Sequence, residues 1–312
     1  MSVRKFIGYK DLIINFNKRC SNGTLSHAHL ICGEDGIGKS VLALNLAKLI
    51  LKGDLDREYV DIINYKTEKA SFGVDDVRGI IEEVQKKPFE GDKKVIIIHE
   101  GNKLTVQAQN ALLKTIEEPP LGVYIIILCE SLELVLDTIK SRCEIFKLTP
   151  LSKEELYEYV EMKGYDKNTP ETKSAIAFSS GIPGRIDRYI NDDKLKELRD
   201  KVIELLIKIT KNDPEALLEE EEVLNSYKGD KEEVLSIIGD FIRDILIHKE
   251  IENENLIINS DKINEIKELT REMSFRKLNN LMSSIEEARR NIKSNVNWAI
   301  TIRVMLMSFL EV

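Results

Sequence analysis

Cysteine is scarce and dispersed in this chain of 312 residues: Cys20, Cys32, Cys129 and Cys143 stand far apart, and no Cys-x-x-Cys pair occurs. Structural zinc takes ligands close in space, usually announced by short spacings, so no zinc is expected and the four thiols read as buried small hydrophobes. Long apolar runs are missing as well. Nothing approaches the ~20 residues that cross a bilayer, and the opening Met-Ser-Val-Arg-Lys-Phe-Ile-Gly lacks the apolar core of a signal peptide. These two absences set the expectation of a soluble, cytoplasmic protein. Positive charge is in the minority, with 46 Lys and Arg against 54 Asp and Glu, a net charge of −8. That balance argues against a surface built wholly for nucleic acid, while a local basic patch stays open. The length leaves room for two or three domains with ample core burial.

What is present is phosphate chemistry. Residues 33–40 read Gly-Glu-Asp-Gly-Ile-Gly-Lys-Ser. Gly33, Gly36 and Gly38 let backbone N–H groups converge on phosphate oxygens at a helix N-terminus, where the dipole favours negative charge. Lys39 would reach the outer phosphates and Ser40 would hold magnesium. The context fits: an apolar run over 27–32 leads into the loop, and Leu42, Leu46 and Ile50 mark a helix after it. ATP or ADP with magnesium is therefore the expected ligand. One position is discordant. The apolar strand over 93–98 ends at His99-Glu100, where an Asp-Glu pair (the Walker B acid pair) would stand in a working ATPase. An imidazole cannot replace a carboxylate as partner of a hard cation, and phosphoryl transfer depends on that cation. His99 and Glu100 thus read as a degenerate Walker B, giving capture without efficient turnover. The plainer reading is that His99 merely ends a strand in a site that has lost its catalytic task.

The first half alternates strands and helices. Strands are predicted at 62–65, 93–98, 123–128 and 144–148, and helices at 74–85, 105–118 and 137–141. Such alternation means an α/β fold with a parallel sheet covered on both faces. Pro150 marks a boundary, followed by the capping box Ser152-Lys153-Glu154-Glu155. Helices are predicted over 152–163 and 170–179, with a break at Gly181-Ile182-Pro183-Gly184-Arg185. Beyond about 194 everything is helical, with starts at Asp213-Pro214 and Asp230. Core stripes run along Leu278, Leu281, Ile285, Ala288 and Ile292, and along Trp298, Ile302, Met305 and Phe309. The run Glu219 to Glu222 reads as a solvated face. Three domains are expected, at 1–149, 150–193 and 194–312.

The segment Asn110-Ala111-Leu112-Leu113-Lys114-Thr115-Ile116-Glu117-Glu118-Pro119-Pro120, followed by Ser141-Arg142-Cys143, resembles the clamp-loader branch of the AAA+ ATPases that serves bacterial DNA polymerase III. Gly8-Tyr9, Ser26-His27-Ala28, the glycine loop and Gly181-Ile182-Pro183-Gly184 fall in the same order as in that branch. The resemblance implies a RecA-like AAA+ nucleotide-binding domain, a small helical lid and an all-helical collar used for oligomerisation. It implies a five-subunit ring, with motor subunits (gamma or tau type) and a delta-type subunit as partners, that loads a sliding clamp on primed DNA. With His99 in place, the chain resembles the non-motor members, whose Ser-Arg-Cys arginine reaches into a neighbouring motor's nucleotide site. Here that is Arg142, and its alternative is an intramolecular ion pair.

Departures from the family pattern matter. Many members carry a four-cysteine zinc module after the glycine-loop helix, whereas residues 41–94 contain no cysteine. Arg185 lies one position beyond the lid arginine of motor subunits, so it reads as a surface arginine near a helix start, with no phosphate contact. Glu117 and Glu118 face the negative end of a helix dipole, which calls for either a basic partner from an adjacent subunit or simple hydration. Two other functions are compatible with the loop: a working ATPase motor subunit, and a standalone P-loop phosphotransferase. The long helical tail offers the latter no acceptor pocket.

Overall fold

The alternating patterns of the first half become one parallel sheet with helices on both faces. The computed structural model describes residues 6–54, 56–211 and 214–310, and only the backbone of 214–219. It divides into two units, Met1–Gly164 with Gly181–Gly184, and Tyr165–Ser180 with Arg185–Val312. The first unit contains α1 (Lys10–Ser21), β1 (Ala28–Cys32), α2 (Lys39–Ile50), β2 (Ile62–Tyr65), α3 (Val74–Gln85), β3 (Lys94–Ile98), α4 (Val106–Glu117), β4 (Val123–Cys129), α5 (Asp137–Lys140), β5 (Glu144–Lys147) and α6 (Lys153–Lys163). All strand pairs are parallel, in the order β2-β3-β4-β1-β5. Side chains alternate across a strand with a period of two, so strands buried on both faces are apolar throughout. Ile96, Ile98, Ile125 and Ile127 meet Val77 and Ile80 of α3 and Leu112 and Ile116 of α4. Val95, Ile97, Ile126 and Leu128 meet Phe16 of α1 and Leu42 and Leu46 of α2.

Local chemistry sets the helix starts. The Thr105 side chain accepts from the Ala108 amide at 3.2 Å and opens α4. Ser152 and Glu155 form the reciprocal capping box, at 3.2 and 2.8 Å, that opens α6. Helix α1 was not foreseen. It buries only Phe16 and Cys20 fully, four residues apart, among Asn, Lys and Arg, a stripe too narrow to read from sequence.

The second unit is helical: α7 (Pro170–Ser179), α8 (Pro183–Asn191, whose first two residues belong to the first unit), α9 (Asp193–Thr210), α10 (Pro214–Ser226), α11 (Lys231–Ile251), α12 (Ile263–Glu272), α13 (Phe275–Lys293) and α14 (Trp298–Leu310). Both predicted stripes are buried, with Ile292 only partly so. Asp213 lies outside the described residues, and Pro214 opens α10 as expected. The acidic run is a correction in part, since Glu222 is exposed as expected. Glu220 and Glu221 are 3% and 7% exposed, not solvated. Lys208 donates to Glu220 at 2.5 Å, and Arg303 grips Glu221 through Nε at 3.0 Å and Nη2 at 2.9 Å. A buried carboxylate persists only when paired, and the charges that pair these two come from α9 and α14, remote in sequence. The Glu219 side chain lies outside the described residues.

Candidate functional site

The glycine loop leaves the carboxyl end of β1 and delivers the chain into α2 at Lys39. In open parallel sheets, ligands bind outside the carboxyl ends of the strands. The Gly33 amide donates to the Cys129 carbonyl at 3.1 Å, tying the loop's first residue to β4. Gly38 has φ 104°, a conformation that L side chains rarely adopt, and a Cβ there would meet nothing within 4 Å, so the mouth of the loop is open. Gly36 plays another part. Gly184 donates its amide to the Gly36 carbonyl at 2.9 Å, and a Cβ on Gly184 would come within 2.7 Å of the Gly36 Cα. The Gly181–Gly184 segment therefore seats directly on the phosphate loop. Lys39 folds back, its Nζ donating to the carbonyls of Gly33 at 2.7 Å and Glu34 at 2.8 Å.

His99 follows β3, its amide donating to the Tyr65 carbonyl at 2.8 Å. Its Nε2 lies 2.9 Å from Asn64 Oδ1 and its Nδ1 3.4 Å from Ser40 Oγ. An amide oxygen only accepts, so Nε2 carries the proton and Nδ1 is the acceptor facing the Ser40 hydroxyl. Burial, helped by the Lys66 charge and opposed by Glu100, holds the His99 pKa below its ordinary value, which leaves the ring neutral at pH 7. Glu100 turns away. Its backbone is left-handed, at φ 54°, and its carboxylate pairs with Lys103 at 3.1 Å. Asn64 carried no signal in the sequence; only strand register brings it beside His99.

Arg142 sits just after α5, about one-third exposed, in a cleft of about 410 Å³ lined by His27, Ile116, Glu117 and Ser141. Its Nε donates to Glu117 Oε1 at 2.6 Å, Nη2 contacts the same oxygen, and Nη1 donates to the Thr138 carbonyl at 2.9 Å. In the single chain Glu117 is thus paired with Arg142. Glu118 follows as the C-cap of α4 and is exposed. Arg185 lies in the first turn of α8 and is half-buried.

Among the described residues, no group of three His, Cys, Asp or Glu side chains is placed to hold a metal ion. Cys20 and Cys129 are buried, while Cys32 and Cys143 are only half-buried. Burial pushes the Cys129 and Cys143 thiols up to about 12, which makes them poor nucleophiles. No helix among the described residues is long and apolar enough to cross a membrane.

Two family models match the chain. One, described as DNA polymerase III, delta subunit, takes in residues 8–152; the other, the C-terminal part of the same subunit, takes in 193–311. The DNA polymerase III subunit delta' of Bacillus subtilis is 26% identical over 291 residues, 88% of this chain and 87% of that protein. The DNA polymerase III subunit gamma of Buchnera aphidicola from Schizaphis graminum is 28% identical over 179 residues, 51% of this chain. The match spans about half the length of that gamma relative, 48%. A solved DNA polymerase III gamma subunit-related protein of Thermotoga maritima shares the fold, with TM-score 0.56 and 19% identity over 96% of this chain and 98% of that one. Matched in both halves by models of one polymerase subunit, and along most of its length by a delta' relative, the chain belongs to the bacterial DNA polymerase III clamp-loader subunit family.

Proposed function

We propose that the chain is a non-motor, delta-prime type of clamp-loader subunit that binds nucleotide without turning it over efficiently. The observation that carries this reading is the neutral His99 ring facing Ser40, where catalysis calls for an anionic metal partner. The glycine loop suits a bound phosphate: an open mouth at Gly38, the N-terminus of α2, and a lysine whose present partners are loop carbonyls that phosphate oxygens can replace. The delta' relative of Bacillus subtilis supports this type, since its alignment takes in 88% of the chain.

In this reading residues 1–149 form the nucleotide-binding part, 150–193 a lid and 194–312 the collar. The collar joins other clamp-loader subunits, and through the assembled ring the chain helps load a sliding clamp on primed DNA. An exposed apolar row on α14 supports that role: Ile300, Val304 and Met307 are 59%, 48% and 60% exposed and share one helix face. Arg142 would act in trans, leaving Glu117 to engage the phosphates of a neighbour's nucleotide with its planar fork. The test is equilibrium binding of ATP and ADP beside steady-state hydrolysis by the isolated protein. Binding with background hydrolysis is the expected result. Turnover at ordinary ATPase rates, abolished by Lys39→Ala, would instead identify a motor subunit.

A further inference from the structure

We propose that the Gly33–Ser40 loop takes its nucleotide as the metal-free anion, because Ser40 keeps its hydrogen-bond acceptor at the end of β3 while that acceptor carries no charge. The inference rests on the nucleotide-binding reading and adds the chemical form of the ligand.

The residues present do not fit a magnesium ion. A hard divalent cation needs oxygen ligands and anionic charge nearby. Of the three groups at this end of β3, Ser40 supplies a neutral hydroxyl and His99 a nitrogen lone pair at 3.4 Å from it. The third, Glu100, is the available carboxylate, and it is turned through a left-handed residue onto Lys103. Asn64 completes the substitution. By accepting from Nε2 at 2.9 Å it fixes the tautomer that points a lone pair at Ser40, so the serine rotamer is held as a carboxylate would hold it. The shape survives and the charge is gone.

Losing that charge acts on two species in opposite directions. A metal–nucleotide complex loses the anion that would balance its cation. The bare polyphosphate, more negative than its magnesium complex, loses a like charge that would repel it. What attracts it is the N-terminus of α2, the loop amides and the Lys39 ammonium, set against the solvent-exposed Glu34 and Asp35 of the loop.

Nucleotide affinity of the full chain should be measured for ATP and ADP by calorimetry or a fluorescent analogue, once with excess magnesium and once with EDTA. Binding should be at least ~3-fold tighter in EDTA than with excess magnesium, since the bare polyphosphate meets no repelling carboxylate beside Ser40 and no ligand set rewards the metal. His99→Asp should restore dependence, binding at least ~10-fold more tightly with magnesium than with EDTA. His99→Asn, neutral like the imidazole, should keep the preference for the metal-free form and serves as the control for folding. Wild-type binding that is no tighter in EDTA than with magnesium would overturn the metal-free form while leaving the nucleotide site intact. Failure to bind in either condition would overturn the nucleotide reading itself.

Discussion

Replacing His29 by leucine removes a buried titratable ring whose effect on stability has a defined sign and window. His29 lies on β1 with 0% of its surface exposed, its ring stacked on Phe146 at 5.7 Å and tilted against Phe16 at 5.3 Å. Neither ring nitrogen has a hydrogen-bond partner, and the nearest carboxylate oxygen, on Glu144, is 3.6 Å from Nδ1 in a group already paired with Arg19. Burial first, and the Arg19 charge with it, lower the pKa from 6.5 to about 4, against a backbone contribution from Ser26. The folded pKa lies below the unfolded one, so between pH 6.5 and 4 the unfolded chain binds a proton that the native chain refuses. Stability is therefore complete above 6.5 and falls as the pH drops, by ~3 kcal/mol once both values are passed. Urea unfolding followed by circular dichroism from pH 7.5 to 4.5 measures it. The wild type should lose ~2.5 kcal/mol more than His29→Leu over that range, while at pH 7.5 the apolar swap should cost under ~1.5 kcal/mol. Parallel pH profiles for the two proteins would refute the reasoning, because they would mean that the buried ring finds a proton partner.

Two further outcomes follow from the helical unit. Changing Ile300, Val304 and Met307 together to serine should leave stability nearly unaltered, within ~0.5 kcal/mol per site, yet block incorporation into the ring on size-exclusion chromatography; normal incorporation would reject α14 as a contact surface. Arg199, 4% exposed, donates to Asp261 at 2.8 Å and Asn259 at 3.1 Å and lies 4.2 Å over the Tyr189 ring, so Arg199→Met should cost ~3–5 kcal/mol in denaturant unfolding by stranding a carboxylate. A loss below ~1 kcal/mol would show that Asp261 hydrates freely.

Much of the first unit was legible because its periods are unambiguous. Strands buried on both faces are runs of isoleucine and valine, and the helices between them carry apolar residues at helical spacing. The glycine loop and the histidine at the end of β3 were legible for a different reason: phosphate chemistry demands particular residues at fixed spacing. What stayed hidden depends on register and on pairs remote in sequence. Asn64 meets His99 only because β2 and β3 align in parallel. Arg142 and Glu117 each drew notice separately, but their separation of 25 positions conceals their contact. His29 read as part of an apolar run, and Glu220 and Glu221 as a charged face, since no local pattern reveals which cations fold over a carboxylate. The α1 stripe was too sparse to register.

The most direct measurement is ATP hydrolysis and clamp loading by a ring reconstituted with motor subunits and Arg142→Ala. The Arg142–Glu117 pair is partly exposed, so its loss should cost the fold at most ~1 kcal/mol and leave assembly unaltered. Hydrolysis by the neighbouring motor should nevertheless fall by ~10³-fold, with clamp loading slowed alongside it, and Arg142→Lys should recover little because a point charge lacks the fork. Hydrolysis and loading at the unmodified rate by a fully assembled Arg142→Ala ring would contradict the proposed role.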